Sequence, residues 1–127
     1  MDMTNYPIGD FLIRINNAAL AKSGEVSMPS TKLIADVAKT LEKSGYLSEV
    51  KQEKGVLVVK LAIKRKEPVI MRLKLISRPG LRIYMGADEL GKKRGPSKFL
   101  ITTPKGIMMS DAAIKNRLGG EVIAEVW

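Results

Sequence analysis

The chain has 127 residues, enough for one ordinary domain or two small ones, and 45% of them are apolar, which supplies a core and argues against wholesale disorder. Twenty-two basic against thirteen acidic side chains leave a net charge of +9, which points to a polyanionic partner, nucleic acid before an anionic membrane surface. The absence of cysteine and histidine excludes disulfides, thiolate metal sites, cysteine nucleophiles and the usual imidazole base.

The opening "MDMTNYPIGD" is acidic and polar, unlike the start of a signal peptide, and apolar runs such as "VLVV" are too short to span a bilayer, so a cytoplasmic chain is expected. In "YPIGDFLIRINNAALAK", Ile8, Phe11, Leu12, Ile15 and Ala19 recur at helical spacing, and Pro7 suits the first turn. "SGEVSMP" breaks that period and reads as a short extended piece. A second helix follows in "PSTKLIADVAKTLEKSG", with Ser30 or Thr31 as N-cap. Its stripe is Leu33, Ile34, Val37, Ala38 and Leu41, and Gly45 stops it.

The period then changes to two. "YLSEVKQ" and "GVLVVKLAIK" form a predicted hairpin around Glu53-Lys54-Gly55, with Leu57, Val59, Leu61 and Ile63 on one face. "KRKEP" reads as a turn and a domain boundary. "VIMRLKLIS" alternates again, with Val69, Met71, Leu73 and Leu75 opposite Ile70, Arg72, Lys74 and Ile76. Beyond it come a Pro-Gly turn with a short strand in "SRPGLRIYMG", one helical turn in "ADEL", and the basic loop "GKKRGPSK". "FLITTPKGIMM" reads as two strands around a bend. "SDAAIKNRLGG" is a short helix with Ser110 as N-cap and Gly119-Gly120 as its stop, and "EVIAEVW" is a closing strand.

Segregated helices and antiparallel hairpins make the class α+β. The expected architecture is two small packed domains. Residues 1–68 place two helices on a three-stranded sheet; residues 69–127 are mostly antiparallel β with a short helix. The second half holds most of the charge excess: residues 72–105 carry nine basic side chains against Asp88 and Glu89.

Enzyme chemistry finds little support. Asp88 and Glu89 are neighbours on one turn and point apart, neither GxxxxGK[ST] nor GxGxxG is present, and Ser110 has no histidine to activate it. "SRPGLR" admits two readings: a plain turn, or a rigid Pro79-Gly80 bend that presents Arg78 and Arg82 to phosphates. "ITTPKG" also admits two. It is a plain hairpin, or a loop whose Thr102 and Thr103 hydroxyls, Lys105 charge and bare Gly106 backbone meet a partner. With two Phe, three Tyr and one Trp and no aromatic RNA-binding pattern, structured RNA is favoured over stacking on a single strand.

Four ordered motifs then coincide: "PIGDFLIRINNA", "MPSTKL" with "VAKTLEKSGYL", "ISRPGLRIY", and "TTPKGIMMSDAAIKNRLGGEVIAEVW". Together they resemble the bacterial small-subunit ribosomal protein S8 family along nearly the whole chain. The resemblance implies a two-domain structural protein of the ribosome, without catalysis or cofactor. It would bind the central domain of small-subunit ribosomal RNA and support assembly, beside neighbouring small-subunit proteins. It would be cytoplasmic, off the membrane, and a monomer outside the ribosome. In some members it implies repression through their own messenger RNA; an RNA-processing enzyme is the remote alternative. By motif position the specific contacts fall on Thr102, Thr103, Lys105, Gly106 and Glu121, and backbone contacts on Thr4, Arg14, Asn17, Ser30, Thr31 and Lys32. Pro104 stands where the family has a second serine, Asn16 where a second arginine is common, and "GKKRGPSK" differs from the family's approach to the signature.

Overall fold

The computed structural model describes residues 6–93 and 95–127. It is α+β, and the chain divides into two compact units, Met1–Leu73 and Lys74–Trp127.

In the first unit, α1 (Pro7–Leu20) and α2 (Lys32–Lys43) accompany a sheet of β1 (Glu25–Pro29), β2 (Leu47–Glu53) and β3 (Val56–Leu61), in the order β1-β3-β2. Both pairings with β3 are antiparallel. The helices bury one stripe each: Phe11, Leu12, Ile15 and Ala19 on α1, Ile34, Val37, Ala38 and Leu41 on α2. Leu57, Val59 and Leu61 are the alternate residues of β3 that join this core. Burying one such side chain stabilises by roughly 1.5–3 kcal/mol. Two expected core residues lie outside it. Leu33 is exposed and Ala35 buried instead, and Ile63 is exposed because β3 ends at Leu61.

Thr31, not Ser30, is the N-cap of α2: its Oγ1 accepts the Ile34 N–H at 3.2 Å. Ser30 instead joins the β2–β3 turn, donating its N–H to Gly55 O at 2.8 Å and accepting from Gln52 Nε2 at 2.7 Å. Asn16 also has a structural task. Its Oδ1 accepts the Leu73 N–H at 2.9 Å, which an arginine there has no atom to do.

The segment read as "KRKEP" is a second hairpin, β4 (Ile63–Lys64) and β5 (Glu67–Pro68). Arg65 and Lys66 form its two-residue turn with φ of 54° and 67°. A turn with two positive φ values favours Asn-Gly, and a side-chain-bearing residue there costs about 1 kcal/mol. The strand expected from Val69 to Ser77 shortens to β6 (Leu73–Leu75). Its alternation fails at the start: Ile70 is buried while Val69 and Met71 are exposed.

The second unit holds β7 (Tyr84–Met85), α3 (Ala87–Gly91), β8 (Lys98–Thr103), β9 (Gly106–Met109), α4 (Ser110–Lys115) and β10 (Gly120–Val126). The sheet order is β6-β10-β8-β9, with β7 also on β10. Leu100 and Ile101 are adjacent and both buried, as are Val122, Ile123 and Ala124, so the sheet is covered on both faces there. Ile101 packs with Leu90 of α3 and Ala113 of α4.

Two local readings change here. Ser110 is not a cap; its Oγ accepts the Phe99 N–H at 3.0 Å and ties α4 to β8. Gly119-Gly120 is not the helix stop. Arg117 ends α4 in the left-handed region (φ 55°), with Leu118 N–H on Ala113 O at 2.8 Å and Arg117 N–H on Ile114 O at 3.1 Å. The glycines serve close approach: a Cβ on Gly120 would sit 1.9 Å from Thr102 O, and one on Gly119 would sit 2.6 Å from Met85 O.

Candidate nucleic-acid interface

That contact at Gly120 lies where β10 meets β8 in the second sheet. Glu121 of β10 faces Tyr84 of β7 on one side and Thr102 of β8 on the other, and Thr102 faces Ile107 of β9. Directly opposed residues share a face. Tyr84, Glu121, Thr102 and Ile107 therefore form one row across four strands, with Tyr84 67% exposed and the other three half-buried. Arg82 joins the row, its Nη1 3.4 Å from Glu121 Oε2.

The two threonines separate by strand alternation. Thr103 is buried; its Oγ1 donates to Gly106 O at 2.8 Å and accepts the Lys105 N–H at 3.1 Å. Its hydroxyl braces the turn, while Thr102 carries the hydroxyl on the row. Pro104 takes the first central turn position, where its fixed φ is an advantage and no N–H is required. Lys105 projects from the tip, exposed, and Gly106 closes the bend at φ 115°.

The "SRPGLR" turn is equally braced. Arg78 and Leu81 exchange two backbone hydrogen bonds of 2.9 Å, Pro79 supplies the first central position, and Gly80 (φ 84°) the second, as a type II turn demands. Ser77, fully buried, anchors its base: Oγ donates to Val122 O at 2.7 Å and accepts the Ile83 N–H at 2.9 Å. Arg78 and Arg82 are left exposed beside β10. The basic loop after α3 is more occupied. Lys93 pairs with Glu125 at 3.5 Å and lies 5.4 Å from the Phe99 ring centroid, and Lys98 pairs with Asp111 at 2.7 Å.

The first unit brings a different set together. Arg14 Nε pairs with Asp10 at 3.2 Å and its Nη1 donates to Ser27 O at 3.3 Å. Arg14 and Thr31 line a groove of about 480 Å³ with Pro7, Asp10, Met28, Pro29 and Ile34. Lys32, exposed, opens α2, whose first turn has no acidic residue, so a cation and the free N–H groups of the helix start reinforce one positive potential. Asn17 is exposed on α1. Thr4 lies outside the described residues, as does Arg94 of the basic loop.

Sequence reasoning missed Tyr84. Six aromatic side chains without a motif argued against stacking platforms, yet this one is exposed at the β7 end of the row, beside Glu121. Its only local signal was a position two residues after Arg82. A recess of about 1040 Å³ beside α3 and α4 holds Asp88, Glu89, Lys92 and Arg117, but their opposite charges converge on no single chemistry. Among the described residues no group of three or more acidic, histidine or cysteine side chains is placed to hold a metal, and no helix is long and apolar enough to cross a membrane.

A family model described as "Ribosomal protein S8" matches residues 6–127. The chain belongs to the ribosomal protein S8 family. Proteins named "Small ribosomal subunit protein uS8" are among its relatives. That of Geobacter metallireducens is 41% identical over 133 residues, covering all of both chains. That of Nitratidesulfovibrio vulgaris (strain DP4) is 37% identical over 98% of this chain and all of the relative. That of Shewanella sediminis is 42% identical over 94% of this chain and 95% of the relative. The segment "TTPKGIMM", on which the sequence resemblance rests, lies in the β8–β9 hairpin, and "GGE" runs into β10 beside β8.

Proposed function

We propose that this S8-family chain is a non-catalytic constituent of the small ribosomal subunit that binds the central domain of small-subunit ribosomal RNA and supports its assembly. The observation that carries the reading is the row Tyr84–Glu121–Thr102, set between two braced turns that expose Arg78 and Lys105. Each part has a separate task. Thr102 offers a hydroxyl that both donates and accepts, suited to a base edge or a ribose hydroxyl. Tyr84 offers a ring face for a base. Glu121 holds Arg82 and accepts from ribose, and the bare Gly106 backbone admits close approach. Arg78 and Lys105 in this unit, and Lys32 with the α2 start in the other, meet phosphates. Arg14, Asn17, Ser30 and Thr31 border that second contact. The partners would be ribosomal RNA and neighbouring subunit proteins, in the cytoplasm, with no cofactor and a monomeric free form.

The test is RNA binding by the full chain to a junction from the central domain, with a scrambled duplex as control. Thr102→Val keeps the strand and should weaken junction binding about fivefold to tenfold while leaving the control unchanged. Arg78→Gln should weaken both RNAs and make the salt dependence shallower by about one contact. Equal effects of both variants on both RNAs would sink the division of labour, and absence of junction binding by the unmodified chain would sink the function. A leader segment of its own messenger, added as competitor, should displace the junction if the same surface serves repression.

A further inference from the structure

Among the described residues, five other than glycine adopt a left-handed φ: Lys22, Lys54, Arg65, Lys66 and Arg117. Every one is a cation. Backbone sterics do not ask for that: glycine is the default in this region, and Asn and Asp are the side-chain-bearing residues it tolerates best. The chain uses glycine at the matching position after α2, Gly45, yet keeps Lys22 after α1. Charge is retained at positions where the backbone disfavours the residue that carries it.

The concentration is highest at the β4–β5 hairpin. Arg65 and Lys66 fill both central positions of its turn, Lys64 precedes them, and Lys22 reaches the hairpin through Glu67, Nζ to Oε1 3.0 Å. All four cations are exposed. Glu67 is the one carboxylate among them and it is 58% exposed. The remaining charge excess sits on a tip two residues wide. Such a tip buries too little area for a stable protein interface, but it fits a line of phosphates, to which the Arg65 fork can bond in pairs. Side-chain-bearing residues held at positive φ cluster at ligand clamps and other functional sites, so such outliers point to a function to be tested.

We propose that the β4–β5 hairpin tip is an additional RNA-backbone contact, made by Arg65 and Lys66 and supported by Lys64 and Lys22. It extends the RNA-binding reading to a segment in the first unit that no family motif in the sequence marks, and it rests on that reading for the identity of the polyanion.

The experiment uses the full chain and the central-domain junction RNA, titrated across salt concentrations, with thermal unfolding in parallel. Arg65→Asn with Lys66→Gly restores the turn's preferred residues. It should raise Tm while lowering affinity about tenfold and making the salt dependence shallower by about one to two contacts. Lys64→Gln, which leaves the turn backbone alone, should flatten the salt dependence by about one. Arg65→Lys with Lys66→Arg keeps the charge and should bind as the unmodified chain does. Unchanged affinity and salt dependence in both neutralised variants overturns the proposal. So does full RNA binding combined with failed incorporation into subunits, which would assign the tip to an acidic protein instead. If the unmodified chain binds no junction RNA, the functional reading fails as well; if it binds and the variants match it, only this inference fails.

Discussion

The two units are stabilised by different means. The first buries apolar stripes and, among the described residues, no serine, threonine, amide or charged side chain. The second buries Ser77, Thr103 and Ser110. Each of these three hydroxyls ties a turn or a helix start to the sheet. The second unit also contains the two glycines whose Cβ would strike a neighbouring backbone. In the first unit, side-chain identity follows from a period and tolerates conservative exchange. In the second, individual atoms carry the architecture. A hydroxyl-rich signature can therefore be as much a brace as a reader, and Thr102 and Thr103 show both uses in adjacent positions.

Four substitutions probe that contrast, beginning with the largest effect. Gly120→Ala places a methyl 1.9 Å from Thr102 O, so β10 and β8 must separate. It should cost about 3 kcal/mol or more, and denaturant unfolding should show the second unit losing its protection from hydrogen exchange first. Ser77→Ala leaves the Ile83 N–H and Val122 O without that hydroxyl in a buried site. About 2 kcal/mol should be lost, with Arg78 released from its fixed turn and junction-RNA affinity falling in step. A stability change near zero would show that the hydroxyl is not a brace.

Thr31→Ala removes a cap in the first unit and should cost about 1 kcal/mol by thermal unfolding. An effect as large as that of Ser77→Ala would erase the distinction between the units. Glu49→Gln should be smallest. Lys60 and then Lys51 hold the Glu49 carboxyl below its ordinary pKa of 4.5, on a half-buried strand position. A depressed folded pKa contributes stability that is present above the unfolded value and lost as pH falls through the folded one. Glu49→Gln should thus leave Tm at neutral pH nearly unchanged and remove a shallow loss of stability on acidification below the usual glutamate range.

Much of the first unit was legible because its rules are local. Helical spacing in "FLIRINNAAL" and "LIADVAKTL" identified both helices, and Lys54-Gly55 identified the β2–β3 hairpin. The misplacements share a cause. Leu33, Ile63 and Met71 are apolar and fall in plausible registers, but burial requires a neighbouring element to cover them, and among the described residues all three stay exposed. Gly119-Gly120 read as a helix stop because the preceding helix was the nearest object in sequence. Their actual constraint comes from Thr102 and Met85, which are distant in sequence. Ser110 misled in the same way, its partner being Phe99 on another strand.

From the sequence alone came the α+β class, the helices, the hairpin turns, the basic excess of the second half and the family motifs, since period, turn chemistry and charge are properties of neighbours along the chain. Strand register belongs to the tertiary structure. It decided that Thr102 and not Thr103 stands beside Glu121 and that Tyr84 is exposed there, while the packing of α1 decided that Asn16 supports Leu73. A one-residue slip of β10 would exchange those strand faces. Burial of the sheet works against such a slip, and the close approach of Gly120 to Thr102, which only a glycine admits, is a distance that exists only once the strands have met.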